Sequence, residues 1–156
     1  MGTEIERKFL VVGSAWKQGT GVRYCQGYLN RDKERTVRVR TAGAQAFLTI
    51  KGVTRGATRA EFEYPIPLAD AEQLLELSDG AVVRKNRYVI EHAGSKWEVD
   101  EFLDDNAGLV VAEIELQSED EPFSRPPWLG REVTQDSRYY NANLAAHPYC
   151  RWQEDR

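Results

Sequence analysis

Charged side chains recur at every second position in this chain, segment after segment. The first such stretch is Glu4-Ile5-Glu6-Arg7-Lys8-Phe9-Leu10-Val11. In an extended strand, successive side chains point to opposite faces. Glu4, Glu6 and Lys8 then share one face, and Ile5, Phe9 and Val11 the other, with Arg7 an exception on the second. One strand of this kind is ordinary, because an antiparallel sheet commonly has one solvated and one buried face. Repetition is what constrains the fold. Val37-Arg38-Val39-Arg40 sets arginines against valines, and residues 46–51 place Phe47, Thr49 and Lys51 on one face. Residues 58–66 set Arg59, Glu61 and Glu63 against Ala60, Phe62 and Tyr64. Residues 83–92 carry Lys85 and Arg87, and residues 96–103 set Glu98 and Asp100 against Trp97 and Val99. In residues 109–117, Glu113 and Glu115 alternate with Ile114 and Leu116.

Between these strands lie short connections. Residues 22–30, with Gln26-Gly27-Tyr28-Leu29, read as a strand, followed by a turn at Arg31-Asp32-Lys33 and a strand over 34–41. Ala42-Gly43-Ala44 is a turn, 52–56 a loop, and Ala93-Gly94-Ser95 a tight hairpin signal. A helix is predicted over 68–79, where Leu68, Ala71, Leu74, Leu75 and Ser78 fall near helical spacing and Gly80 sits where a C-terminal cap is wanted. A helical turn is expected at 15–18 and a short helix from Ser118, ended by Pro126-Pro127. Residues 128–136 read as irregular and 137–146 as a final helix, with a tail from Pro148. The reading gives about eight strands and a few helices. Short connections make the strands antiparallel, because parallel strands need long crossovers. No linker divides the chain, so residues 1–156 are expected to form a single domain.

The apolar fraction of 41% beside 29% charged residues fits a soluble protein with a core. A net charge of -4 speaks against bulk binding to nucleic acid or an anionic membrane. No apolar run is long enough to cross a bilayer, and the N-terminus opens with carboxylates instead of a secretory signal. A cytoplasmic location is therefore expected, with Cys25 and Cys150 as free, mostly buried thiols. His92 and His147 read as surface residues, and Trp16, Trp97, Trp128 and Trp152 as packing groups.

The charged faces must go somewhere. An open sheet of this size leaves edges that invite further pairing, and closure into a barrel removes them. The charged face then becomes the lumen, with helices and loops covering the apolar outside. Buried charges cost several kcal/mol each unless paired or bound to ions, so about this many require a wet tunnel and a ligand of both signs. Carboxylates on separate strands suit Mg²⁺ or Mn²⁺. Arginine and lysine suit the oxygens of a phosphate chain. The competing reading is that each charged pair lies on an exposed face in cross-strand ion pairs. That reading serves any single pair and weakens as the pattern repeats.

The ordered pieces Glu4-Ile5-Glu6-Arg7-Lys8, Gln26-Gly27-Tyr28-Leu29, Arg38-Val39-Arg40, Leu48-Thr49-Ile50-Lys51, Arg59-Ala60-Glu61-Phe62-Glu63, Lys85-Asn86-Arg87-Tyr88, Glu98-Val99-Asp100, Glu113-Ile114-Glu115 and Val133-Thr134-Gln135-Asp136-Ser137-Arg138-Tyr139 resemble the CYTH superfamily, the triphosphate tunnel metalloenzymes. The likeness runs nearly end to end and is nearest to the short bacterial inorganic triphosphatases. It implies an α+β fold, an eight-stranded antiparallel closed β-barrel with flanking helices and a C-terminal plug helix. By the same resemblance, Glu4, Glu6, Glu113 and Glu115 would carry metal, typically two Mg²⁺ or Mn²⁺ ions. Arg38, Arg40, Lys51, Lys85 and Arg87 would hold phosphates, joined by Lys8 and by Arg138 reaching in from the plug. Lys8 and Tyr28, with Glu6, would stand at the reacting end, and Glu61, Glu63, Glu98 and Asp100 would be supporting carboxylates. The implied reaction is metal-dependent hydrolysis of inorganic triphosphate to pyrophosphate and phosphate. Alternatives are thiamine triphosphatase, nucleoside triphosphatase or class IV adenylyl cyclase chemistry in the same tunnel, and a non-catalytic polyphosphate-binding module. Relatives include dimers, which leaves a homodimer open.

Overall fold

The computed structural model describes residues 2–155. Nine strands form one sheet: β1 (Gly2–Val11), β2 (Val22–Asn30), β3 (Arg35–Ala42), β4 (Gln45–Gly52), β5 (Thr58–Pro65), β6 (Val83–His92), β7 (Ser95–Phe102), β8 (Val110–Glu115) and β9 (Leu129–Glu132). Two α-helices accompany them, α1 (Leu68–Leu75) and α2 (Asn141–Ala146). The sheet order β5-β4-β3-β2-β6-β7-β8-β1 is closed by pairing of β5 with β1, so eight antiparallel strands make a barrel. Closure removes the edges that an open sheet would expose.

The ninth strand, β9, lies in a stretch that the sequence marks as irregular. Its partner is β1, with Phe9 opposite Glu132 and Val11 opposite Leu129. Along that edge β1 therefore pairs first with β5, at Gly2 to Ile5, and then with β9. The same contact explains Arg7, the charged exception on an apolar face. Its guanidinium donates to both carboxylate oxygens of Glu132 at 2.8 and 2.7 Å, outside the barrel.

Outward faces build two of the three cores, and inward Tyr28, Val83, Phe102 and Val111 contribute to the other at one end of the barrel. Phe9, Trp97, Val99, Ile114, Trp128 and Trp16 form one cluster over β1, β6, β7 and β8. Aromatic edges meet faces there, with Trp97 5.7 Å from Phe9 and 5.8 Å from Trp128. A second cluster, including Phe102, Val111, Tyr139, Leu144 and Trp152, packs the C-terminal segment against one end of the barrel. A third sets Ala71 of α1 over Val39 and Ala46. Cover is incomplete, contrary to the expectation that helices and loops would shield the whole apolar face. Phe62 and Tyr64 on β5 remain exposed beside Ile50.

Helix lengths also differ from the spacing-based reading. The first helix ends at Leu75 because the next turn tightens to i→i+3 hydrogen bonds, and Asp79 N–H then donates to Tyr28 O on β2. Gly80, with φ +92°, belongs to the turn beyond and not to a cap. The expected helix over 137–146 is split by extended Tyr140 (φ -72°, ψ 134°) into a 3₁₀ turn, Ser137–Tyr139, and α2. Residues 118–121 form a turn held by Gln117 N–H on Glu121, not a helix. The expected helical turn at 15–18 is a bend and turn. Ala93 and Gly94 adopt φ +50° and +82°, as a two-residue hairpin between β6 and β7 requires. The thiols do not pair; Cys25 is half-buried, and Cys150 is exposed where burial was expected. No helix among the described residues is long and apolar enough to cross a membrane.

Gly27 is fixed by this packing. A Cβ there would stand 3.1 Å from both Leu75 Cδ2 and Ser78 Cβ and overlap Ser78 Oγ, so α1 would have to move off β2. Gly27→Ala is expected to lower unfolding free energy by about 1–3 kcal/mol. Gly52→Ala, whose Cβ meets Ala60 Cβ at 3.4 Å, should stay near wild type. Urea titration of both variants checks the difference.

Candidate active site: a charged tunnel

The inward faces converge on one cavity of about 420 Å³ inside the barrel. Glu4, Glu6 and Lys8 enter it from β1, Glu113 and Glu115 from β8, and Glu98 from β7. Lys85 and Arg87 enter from β6, Tyr28 from β2, and Thr36, Arg38 and Arg40 from β3. Thr49 and Lys51 come from β4 and Arg59, Glu61 and Glu63 from β5. The period of two places them there, since each strand turns alternate side chains inward. Going round the ring, β3 lies four strands from β8. The arginines of β3 therefore face the carboxylates of β8 across the bore.

Asp100, on the inward face of β7 with Glu98, is 1% exposed and does not line the cavity itself, but it holds two lining cations of β6. One residue assigned to the site by sequence stands elsewhere. Arg138 lies outside the cavity, with its guanidinium bonded to Asp136 at 2.6 Å and over the Trp152 ring at 5.0 Å. Asp136, which caps the 3₁₀ turn, holds it there. The plug contributes Tyr140, Asn141, Ala142 and Asn143 instead.

Charges inside the bore answer one another. Lys8 Nζ donates to Glu6 at 2.9 Å and to Glu113 at 2.5 Å. Lys51 donates to Glu4 at 3.1 Å and lies 3.4 Å from Glu61. Glu63 serves Arg40 at 3.3 Å, Arg38 at 3.6 Å and the Thr49 hydroxyl at 2.8 Å. Arg87 makes a two-pronged contact with Asp100 at 2.7 and 2.9 Å. Lys85 reaches Asp100 at 2.8 Å and Asn141 Oδ1, at the start of α2, at 3.1 Å.

Proton affinities follow from these contacts. Burial opposes charge on Lys8, yet Glu113 and Glu6 raise its pKa, so it stays an ammonium. Burial likewise opposes charge on Asp100, but Arg87 and Lys85 hold its carboxyl below the ordinary range. For Lys85 burial prevails; with Arg87 nearby it brings the ammonium down to about 8 despite Asp100. Burial and the charges of Arg38 and Arg87 bring Arg40 down to about 10.

An anion fits the basic arc. The Nε–H groups of Arg38, Arg40 and Arg59 are buried and have no hydrogen-bond partner among the described residues. Buried donors without partners are costly and mark a place for an acceptor. Arg59 was absent from the sequence-based phosphate set, although alternation with Glu61 and Glu63 already put it on that face. Asn141 carried no signal, because only the fold brings it to Lys85, 56 residues away in sequence.

A cation fits the acidic arc. The register sets Glu6 directly opposite Glu115 and Glu98 directly opposite Glu113. Facing like charges destabilise a sheet unless something positive lies between them. Burial and the charges of Glu4, Glu6 and Glu98 push the Glu115 carboxyl above its usual range. Among the described residues, no three acidic, His or Cys groups already converge as a finished metal shell. Lys8 and Lys51 occupy the space between carboxylates instead.

Comparison with known proteins gives the same picture. The chain is 49% identical over 156 residues to an inorganic triphosphatase of Acetivibrio thermocellus, covering 99% of this chain and 100% of that protein. It is 38% identical to an inorganic triphosphatase of Nitrosomonas europaea, covering 92% of this chain and 97% of that protein. The crystal structure of the inorganic triphosphatase NE1496 superposes with a TM-score of 0.67 at 37% identity, over 93% of this chain and 95% of that one. A family model described as the CYTH domain matches residues 2–149. With its closed barrel, its two-signed bore and this match, the chain belongs to the CYTH domain family.

Proposed function

We propose that this protein hydrolyses inorganic triphosphate to pyrophosphate and phosphate, in a reaction that depends on Mg²⁺ or Mn²⁺. One observation carries the reading: unpartnered arginine donors on one arc of a closed tunnel face opposed carboxylates on the other. A triphosphate with its counter-cations satisfies both arcs at once. The names of the relatives, inorganic triphosphatases at 49% and 38% identity, support it.

In this reading Arg38, Arg40, Arg59 and Arg87 hold phosphate oxygens by directed N–H bonds, and Lys51 and Lys85 add point charges. Glu4, Glu6, Glu113 and Glu115 hold the cations, with Glu98, Glu61 and Glu63 in support. Buried Asp100 aims Lys85 and Arg87. A bound divalent cation neutralises phosphate charge and lowers the pKa of a coordinated water. Phosphoryl transfer asks the protein mainly for positioning and charge stabilisation. Water forms the new bond to a terminal phosphorus, the bridging P–O bond breaks, and pyrophosphate leaves as the water gives up a proton. Lys8, held protonated by two carboxylates, presents positive charge to the reacting end, and Tyr28 lines the same cavity with its hydroxyl accepting from Gln26 Nε2 at 3.3 Å.

Phosphate release should be fastest with tripolyphosphate plus Mg²⁺ or Mn²⁺, far above ATP and thiamine triphosphate, and should vanish with a chelator. Release from ATP or thiamine triphosphate at an equal or higher rate would overturn the assigned substrate. Binding without any release would leave a polyphosphate-binding module.

The opposed carboxylates give a sharper outcome. Glu115→Gln should cut turnover by about 10²-fold or more. Its melting temperature should stay at or above wild type, because one member of a like-charge pair is gone. Glu6→Gln should lose activity similarly. Calorimetry and steady-state kinetics on the same samples test both.

Asp100→Asn leaves Lys85 and Arg87 buried without their counter-charge and should cost about 3–5 kcal/mol of stability. In the wild type this carboxyl titrates below the free value of 3.8. Its contribution is therefore complete above that pH and is lost as pH falls further. Urea titrations at pH 7 and in acid should show the two proteins converging at low pH.

A further inference from the structure

Tyr24 stands on β2, in register opposite Ala42 of β3 and Lys85 of β6. Two tunnel arginines, one from each neighbouring strand, lie diagonal to it: Gln26 pairs with Arg40, and Val22 with Arg87. Both guanidiniums rest over the Tyr24 ring, Arg40 at 5.0 Å and Arg87 at 4.6 Å from its centroid. The ring itself does not line the cavity, whereas both arginines do.

The two cations differ in how they are held. Arg87 is fixed by Asp100 at 2.7 Å, with Glu98 at 3.3 Å. Arg40 has Glu63 alone as its ionic partner among the described residues, and Glu63 also serves Arg38. Its Nε–H is buried and unpartnered, and the charges of Arg38 and Arg87 act against its own. An aromatic ring attracts a guanidinium, the more so when both are shielded from water. Here one ring attracts two cations that repel each other. The Tyr24 hydroxyl makes no hydrogen bond among the described residues. The ring, not the hydroxyl, makes the contacts.

We propose that Tyr24 is a positioning residue for phosphate recognition, its ring seating the Arg40 and Arg87 guanidiniums at the tunnel wall. The inference rests on the reading that this tunnel binds inorganic triphosphate. Without the ring, Arg40 keeps a single shared carboxylate and loses its fixed direction, while its charge remains. Substrate should then bind less well, and the chemical step should change less.

The test is steady-state kinetics on tripolyphosphate with Mg²⁺ for Tyr24→Leu, Tyr24→Met and Tyr24→Phe, with folding followed by circular dichroism. The ringless variants should raise KM about ten-fold while kcat moves less than about three-fold. Tyr24→Phe should restore KM to within about two-fold of wild type. A folded Leu or Met variant with wild-type KM would overturn the role. A Phe variant as impaired as Leu would do so too, by pointing to the hydroxyl, and so would unfolding of both ringless variants, by pointing to the core. Wild-type protein that neither turns over nor binds tripolyphosphate would instead remove the functional reading itself.

Discussion

Ionisable groups enclosed by a ring of strands are tolerable only when they answer one another. That requirement governs this molecule. Burial penalises each charge in the bore, and for Lys8 and Asp100 the opposite charges next to them overcome the penalty. Where the compensation is partial, as for Lys85 and Arg40, the charge itself is weakened. The tunnel is thus poised between self-satisfaction and demand for a ligand.

The balance is uneven around the ring. Lys8 and Lys51 bridge carboxylates of the acidic arc, much as cations would, while the β3 arginines share a single carboxylate, Glu63. In the proposed function, a ligand carrying many oxygens would relieve the arginines, and its counter-cations would relieve the opposed glutamates. Fixed charges aimed where phosphate charge changes are the usual source of catalysis in such reactions, since they need no reorganisation during the step. The wall behind them is rigid for the same reason. Buried Asp100 grips Arg87 and Lys85, and Asn141 ties Lys85 to the C-terminal segment.

The barrel's outside serves the inside. Aromatic packing around Trp97 and Phe9 fixes β1, β7 and β8, which carry the acidic arc. Closure depends on β1 dividing its free edge between β5 and β9, and Arg7 with Glu132 secures the second contact.

Much of this was legible in the sequence because facing is a local property. A period of two decides that Glu4, Glu6 and Lys8 point one way and Phe9 the other, whatever the chain does elsewhere. Repeated in strand after strand, that alternation pointed to the closed barrel, the charged bore and most of the strand residues that line it. Meeting is not local. That Arg7 finds Glu132, that Asp100 pairs with Lys85, and that Tyr24 carries Arg40 and Arg87 all required the ring to close and its register to be set. The same holds for β9, a strand only because β1 offers it an edge, and for Arg138, held outside the cavity by Asp136. The sequence by itself settled which strand side chains face the tunnel; the tertiary structure decided which loop and plug residues join them and which side chains touch, because a contact depends on the positions of two backbones and a facing on only one.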